Sequence, residues 1–494
     1  MTTPSAARIL VIDVGTTGLR AAVVDEQLRI VDIEYRPNPP SVPFDGLVEF
    51  DARLMADKVL EAAHSVLGRL DRPVDAVGIT CQRASTVVWD RASGEPVAMG
   101  LGWQDLRTIT ECITAKAERG WNIAPNQSIT KLASILGGLG DSAPTDLAFG
   151  TVDSWIAWVL TDGAVHVSDG TNMSTTTTGM RTADGSSWAD DRLDAFGIPH
   201  SVLPQVVDSS GVIAAAAALP GSPPIAALVG DQQGSLIGQA CTRAGLAKLT
   251  LGTGGMLDMF TGAPAPTEIA RNDAGTYALP TWQLDGALSW GAEGIMLSAG
   301  TNIEWLRDDL RLIDTPAESH DVASGCADAG GVVYVPALLG LGTPRWDYGA
   351  RGTLLGLTRG TERSHIVRAV LDGIAQRSAD LLDAATSDTG VEVDTLRIDG
   401  GMSANPTLVQ TLADVTGRQV EVSPVSDATT VGAAFLAGLA IGTWTDVSDI
   451  ESLWNPAHTV APAPTVDRAA LRSRWGDALE RAGEWHPELS ALEF

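Results

Sequence analysis

An apolar run, Arg8–Asp13, ends in an acid, passes through Gly15-Thr16-Thr17-Gly18 and resumes as a second apolar run, Leu19–Asp25. Short apolar runs bounded by turn residues read as buried strands. The pattern therefore predicts two paired strands joined at a glycine-threonine bend, with Gln27–Ile33 as a continuation. Asp57–Leu70 has the spacing of an amphipathic helix, and Val74–Thr80 is another apolar run ending at Cys81-Gln82-Arg83. Leu147–Thr151 followed by Val152–Leu160 predicts a strand feeding a helix. The polar, threonine-rich stretch Ser168–Gly179 reads as loop or edge structure. Ile225–Val229 is an apolar strand leading into GDQQGSLIGQA, and Lys248–Leu251 begins a strand that runs into GTGG. Further on, Ser364–Ala385 carries apolar residues at helical spacing, Thr395–Ile398 is a strand ending in DGGMSANPT, and Ala428–Ile441 is a helix rich in Gly and Ala.

Two segments in opposite halves share one pattern. IDVGTTGLRAAVVD and LTLGTGGMLDMFTG are each an apolar strand, a Gly-Thr turn and an apolar strand. This suggests internal duplication, with a ligand between two similar domains and one bend supplied by each. A chain of 494 residues exceeds what one core supports, so two or three domains are expected. The boundary falls near Ala240–Leu246. This gives a first domain over 1–242, a second over 243–450, and a Pro-rich then helical appendage over 451–494.

Charge narrows the function classes. A formal net charge of −28 repels nucleic acid and anionic membranes, so neither is an expected partner. The cysteines, Cys81, Cys112, Cys241 and Cys326, form no CxxC pair, which argues against a zinc site or a disulfide framework. The start, MTTPSAARIL, lacks the basic region and apolar stretch of a leader, and no apolar run reaches the length of a membrane span. The expectation is a soluble cytoplasmic protein with reduced thiols, and a homodimer is the commonest assembly for such a chain.

The lysines are Lys58, Lys116, Lys131 and Lys248, and none follows a glycine, so the GxxxxGK[ST] phosphate loop is absent. The first glycine cluster lies between two strands rather than opening a helix, unlike a dinucleotide fingerprint. A hairpin can still present consecutive backbone N–H groups to an anion. Gly15 and Gly18 allow close approach and positive φ, Thr16 and Thr17 add hydroxyls, and Arg20 supplies charge. The alternative is an ordinary hairpin with Gly and Thr in its turn. Gly252-Thr253-Gly254 repeats the arrangement. Gly400 and Gly401, between a strand and a helix, would let a flat ring lie against backbone, with Asn405 donating and accepting hydrogen bonds. Equally, Ser403 or Asn405 can serve as a helix cap there. Asp231, between a strand and a helix, is either a cap or a base that takes a proton from an alcohol. Asp13, at a strand end beside the first bend, can hold Mg²⁺ through water.

Taken together, VIDVGTTGLRAAVVD, VGDQQGSLIGQ, LTLGTGG and LRIDGGMSANPTLVQTLADVTG resemble the FGGY carbohydrate kinases. GITCQRASTVVWDRASGEPV, WGAEG with IEWLRD, and VPALLGLGTPRWDYGARGTLLGLTRGTERSHIVRAVLDGIA resemble the glycerol kinase branch. The likeness runs from about Arg8 to Trp444. It implies an α/β, two-domain, actin-like and ribonuclease-H-like ATPase fold with a cleft between the domains, and ATP with Mg²⁺ as cofactors. It assigns Gly15, Thr16, Thr17, Arg20, Gly252 and Thr253 to the ATP phosphates. Gly300, Glu304, Gly400, Gly401 and Asn405 fall around the adenosine. Asp231 becomes the catalytic base and Asp13 the Mg²⁺-associated acid, with Asp231 also near the metal. Gln82, Arg83, Trp103 and Gln232 fall on the substrate side.

The branch pattern breaks at three substrate-facing positions. Ala84 stands where the branch has Glu, Asn126 where it has Tyr, and Met256 where it has an aromatic residue. Losing an acceptor and trimming volume in a site built for hydroxyls changes specificity. The expectation is a small polyol or sugar larger than glycerol, of four or five carbons, or a ketose. Glycerol itself, with water filling the trimmed volume, is the competing reading. A sugar or nucleotide sensor without catalysis, and an actin-like ATPase or chaperone, are the readings from other classes.

Overall fold

The computed structural model describes all residues except 1–6, 141–143, 263, 268–270 and 492–494. The first six residues of the stretch read for a leader lie outside the described residues. Strands β1 (Arg8–Val14), β2 (Gly18–Asp25) and β3 (Ile30–Pro37) form an antiparallel meander. Next to β1, strand β4 (Ala76–Cys81) and then β6 (Pro224–Gly230) run parallel to it, and β5 (Ser210–Ala215) closes the edge. The order is β5-β6-β4-β1-β2-β3.

The second half repeats this plan. Strands β7 (Leu246–Leu251), β8 (Gly255–Phe260) and β10 (Ala287–Met296) are consecutive antiparallel neighbours, with β9 (Tyr277–Leu284) outside β10. Strand β11 (Thr395–Asp399) runs parallel to β7, and β12 (Gln419–Val422) parallel to β11. Two antiparallel turns followed by two parallel additions therefore occur twice, as the duplicated Gly-Thr pattern implies.

Burial on both faces explains why β1 reads as a continuous apolar run. Alternate residues point to opposite faces. Leu10, Ile12 and Val14 pack with helices α1 (Ala52–Leu67) and α3 (Val152–Leu160). Ile9 and Val11 pack on the other face against α8 (Ala428–Ala440). Although α8 follows the last parallel strand of the second sheet, it lies on the first. After its first turn, whose Thr429 and Thr430 face the cavity side, its sequence VGAAFLAGLA is apolar all round, as a largely enclosed helix requires. Helix α4 (Asp231–Gly238) crosses α8 at backbone contact distance. A Cβ on Gly238 would lie 1.9 Å from the Ala428 carbonyl oxygen, and one on Gly432 would lie 1.9 Å from that of Gly234.

Several expectations are refined. The first helix starts earlier than Asp57, because Asp51 caps it by accepting from the Leu54 N–H at 2.9 Å. The stretch Ser168–Gly179, expected as loop or edge structure, begins in a short strand paired only with Gln205–Val207, ends in a helical turn at Thr175–Thr178, and is buried. Asp169 accepts from Thr171, Asn172 and Ser209, so a buried acid replaces water as the partner of these polar groups. Neither Gly15 nor Gly18 adopts positive φ. The hairpin closes through Gly15 N–H to the Gly18 carbonyl at 3.0 Å, and Gly18 gives room to Tyr35 of β3. Past residue 451, His458–Val460 adds a strand, β13, to the free edge of β12, and α9 (Arg468–Ala482) is tied to α6 (Arg363–Thr389) by Arg472–Asp380 at 2.7 Å. Among the described residues, no helix is long and apolar enough to cross a membrane.

Candidate active site

The carboxyl ends of parallel strands are where α/β sheets bind ligands. Here β1 leads into Gly15–Thr17, β4 into Gln82-Arg83-Ala84, and β6 into Asp231. In the second domain β7 leads into Gly252-Thr253 and β11 into Gly400-Gly401. A cavity of about 210 Å³ is lined by Asp13 and Arg20 of the first hairpin, by Gln232 next to Asp231, by Thr250 of β7 and by Asp399 and Gly400 at the end of β11, among others. The two bends thus rise from strands that border one space.

Thr17, Gly252, Thr253 and Gly401 are exposed, and both Gly252 and Gly401 face open space. Gly300 packs on the second bend, donating its N–H to the Gly252 carbonyl at 2.8 Å; a Cβ there would meet that oxygen at 2.5 Å. Glu304 stands exposed on the first turn of α5 (Thr301–Asp308). Gly400 holds φ +86, and a side chain there would strike Leu251 backbone. Asn405 acts as a cap for α7 (Pro406–Thr416). Its Oδ1 accepts from Leu408 N–H at 3.1 Å and its Nδ2 donates to Ser319 Oγ at 2.9 Å, so both ends of its amide are engaged within the domain.

The acids beside the cavity are electrostatically unusual. Burial pushes Asp13 up to about 6, against the pull of Arg20 at 3.5 Å and with a push from the Asp231 charge. Thr430 of α8 also donates to Asp13 at 3.2 Å, and Arg20 pairs with Asp427 at 3.2 Å. Burial raises Asp231 as well, opposed by Arg83, by the Gln232 N–H at 2.8 Å and by Lys248. Ser235 donates to Asp399 Oδ2 at 3.3 Å, while the buried Asp399 Oδ1 has no partner. Carboxylate oxygens of this kind suit Mg²⁺. Among the described residues, no three acids, cysteines or histidines form a ready-made cage. The set fits an ion that takes one or two carboxylates and completes its shell from phosphate and water.

The substrate-side residues also converge. Trp103 donates its indole N–H to Thr16 Oγ1 at 3.1 Å, joining this group to the first bend. Its backbone N–H reaches Ser85 Oγ at 3.1 Å. Lys131, on α2 (Ser128–Leu139), holds the carbonyls of Trp103 and Asn126 at 3.2 and 2.9 Å. Burial pushes its ammonium down to about 7. Ser128 donates to the Ala84 carbonyl at 3.0 Å, tying this loop to the segment after β4. Asn126 is exposed and Met256 half-buried. Ala84 is only 2% exposed. Gln82 is likewise buried, its backbone N–H bonded to Val14.

Four charged residues escape the sequence reading. Across the second sheet Lys248 on β7 faces Asp258 on β8, which faces Glu293 on β10. Directly opposed residues share a face, so this row lies on the face that also carries Thr250 and Met256. The opposite face, with Leu249, Leu257, Met259 and Met296, is core. Lys248 pairs with Asp258 at 2.7 Å and donates to Gln232 at 2.7 Å. Glu293 takes Arg83 of the first domain at 2.5 Å. The fourth residue is Asp399. Lys248 and Asp258 had a signal: two opposite charges, equidistant from Thr253, in otherwise apolar strands.

Two lobes of repeated topology border one cavity lined by carboxylates and Arg20, an arrangement suited to phosphates and a divalent cation. The chain belongs to the FGGY family of carbohydrate kinases: the model of the family's N-terminal domain matches residues 8–238 and that of its C-terminal domain residues 247–441. It is 39% identical over 500 residues to a glycerol kinase of Rhodopirellula baltica, covering 97% of this chain and 92% of that one. It is 40% identical over 496 residues to a glycerol kinase of Trichlorobacter lovleyi, covering 97% and 99%. The structure of Plasmodium falciparum glycerol kinase with ADP matches with a TM-score of 0.87 at 28% identity, over 99% of both chains. A ligand-bound xylulose kinase from Lactobacillus acidophilus matches with a TM-score of 0.86 at 21% identity, over 98% and 100%, a likeness of fold. The fold is the family's two-domain α/β fold, and the chain is an ATP-dependent kinase of sugars or polyols.

Proposed function

We propose that this kinase transfers the γ-phosphoryl group of ATP to a terminal hydroxyl of a compact acyclic polyol, with Asp231 as the base. The observation that carries the reading is the position of Asp231: it begins α4 beside the cavity that Asp13, Arg20, Thr250 and Gly400 border. Phosphoryl transfer depends mainly on positioning and charge stabilisation. The N–H groups of Gly15–Thr17 and of Gly252-Thr253 would grip the phosphates from opposite lobes, and Arg20 would offset their charge. Asp13 and Asp231 would hold Mg²⁺, which when bound offsets negative charge on the reacting phosphates. Asp231 takes the hydroxyl proton as the oxygen attacks. Arg83, Trp103 and Gln232 orient the acceptor, and apposition of the lobes keeps out water, a competing acceptor.

The relatives named above are glycerol kinases, which supports a glycerol-sized substrate. The expectation of a larger substrate gains no support from these comparisons. A longer polyol is the second reading, favoured by the acceptor missing at Ala84 and by the exposed Asn126. An ADP-release assay with Mg²⁺ over glycerol, erythritol, threitol, xylitol, ribitol, xylulose and ribulose separates them. Highest kcat/KM on glycerol or a four-carbon polyol is the expected result. Preference for a ketose, or equal rates with no acceptor added, would contradict the proposal.

A further inference from the structure

Arg83 stands between two carboxylates from different domains. Its Nη2 donates to Glu293 Oε2 at 2.5 Å, whereas its Nε lies 3.8 Å from Asp231 Oδ1, beyond hydrogen-bond length. All three side chains are largely withdrawn from solvent. A guanidinium forks readily onto any carboxylate within reach, by two parallel hydrogen bonds. If it did so onto Asp231, it would occupy the lone pairs that must accept the substrate proton and would make them less basic.

The second sheet keeps Glu293 available for this task. Asp258 is directly opposite it on β8, and Tyr277 opposite it on β9. Lys248 is engaged with Asp258, Gln232 and Thr250, so no bond joins it to Glu293. Burial and then the like charge of Asp258 disfavour the Glu293 carboxylate; Arg83 opposes them most, Lys248 less, and Arg83 is its one hydrogen-bond partner among the described residues. Arg83 is therefore the partner that stabilises Glu293, and Glu293 the anchor that holds Arg83.

We propose that Glu293, reaching from the second domain, is a positioning residue that pins Arg83 beside Asp231 rather than on it, leaving the base open to the substrate hydroxyl. The inference rests on the proposed role of Asp231 and adds to it.

The test uses the full-length enzyme with Mg²⁺, ATP and its best polyol. Glu293→Ala is expected to lower kcat roughly ten- to a hundredfold, part of what a general base contributes, with the KM for ATP changed less than about twofold. Glu293→Gln, whose amide oxygen still accepts from Nη2, is expected to recover part of that loss, and it serves if the alanine variant folds poorly. Since Glu293 acts through Arg83, adding Glu293→Ala to Arg83→Met should cause no further loss. Unchanged kcat in both Glu293 variants, losses that multiply in the double variant, or a KM for ATP that rises in step with the loss would each overturn the inference. A wild-type enzyme inactive on every polyol would overturn the proposed function, and this inference with it. An active wild type with unaffected variants overturns the inference alone.

Discussion

Asp231→Asn is expected to lower polyol-dependent ADP release by about 10²–10⁴-fold, the range that a general base contributes. ATP binding should persist, because the backbone groups of both bends are untouched. Asparagine nearly matches the shape of the acid, and its side-chain oxygen can still accept the Gln232 N–H that Asp231 holds at 2.8 Å. The variant therefore removes basicity with little change in geometry. Burial raises Asp231 above the usual carboxylate range, so the native residue carries a charge that its surroundings disfavour. The neutral variant should melt at an equal or higher temperature than the wild type, the familiar exchange of stability for activity at a working site. Steady-state ADP release, calorimetric ATP titration and a thermal melt on one preparation check all three points. Retained turnover would remove Asp231 from the chemistry.

The second large effect concerns the crossing of α4 and α8. Gly238→Val and Gly432→Val each place a Cβ 1.9 Å from a carbonyl oxygen of the opposing helix. The obstacle is backbone on both sides, so no rotamer change relieves it. Overpacking typically costs about 1–3 kcal/mol, and a helix pair forced apart lies at the upper end or beyond. Activity should fall further than stability alone requires. Helix α4 begins with Asp231, and α8 carries Thr430, which donates to Asp13 at 3.2 Å. Spreading the helices therefore moves the base and the Mg²⁺-associated acid together. Gly137→Ala in α2 is the matched control. Its Cβ would meet nothing within 4 Å, and the change should stabilise by roughly 0.5–1 kcal/mol through the unfolded chain. Denaturant melts with parallel kinetics distinguish the two classes; equal behaviour at all three glycines would contradict the packing account.

The bends were legible because glycine and threonine interrupt apolar runs, and a break of that kind does not depend on tertiary context. The place of Asp231 between a strand and a helix was legible too, but not whether it caps the helix; the cap position falls on Gly230 and Asp231 opens the first turn. Glu293 was not legible. It sits in SWGAEG among small and apolar neighbours, and the arginine that gives it meaning is 210 residues away in sequence. The burial of the threonine-rich stretch was not legible because composition records polar groups and not their partners. Water and the buried Asp169 satisfy a hydroxyl equally well. Similarly, α8 follows the second sheet in sequence and packs on the first; its apolar run after Thr430 was the clue to a helix covered on most of its surface. The expected size of the acceptor was less legible: a missing acceptor at Ala84 and a smaller residue at Asn126 show that the branch pattern changes there, while how neighbouring side chains repack around them is decided by tertiary contacts.

The central claim is that one bend from each lobe grips a single triphosphate while Asp231 faces the acceptor oxygen. A crystal structure with a non-hydrolysable ATP analogue, Mg²⁺ and the best polyol tests it most directly. The account predicts phosphate oxygens about 3 Å from backbone nitrogens of both Gly15–Thr17 and Gly252-Thr253, and one polyol oxygen within hydrogen-bond reach of Asp231. A triphosphate held by one bend alone, or a polyol with no oxygen near that carboxylate, would contradict it.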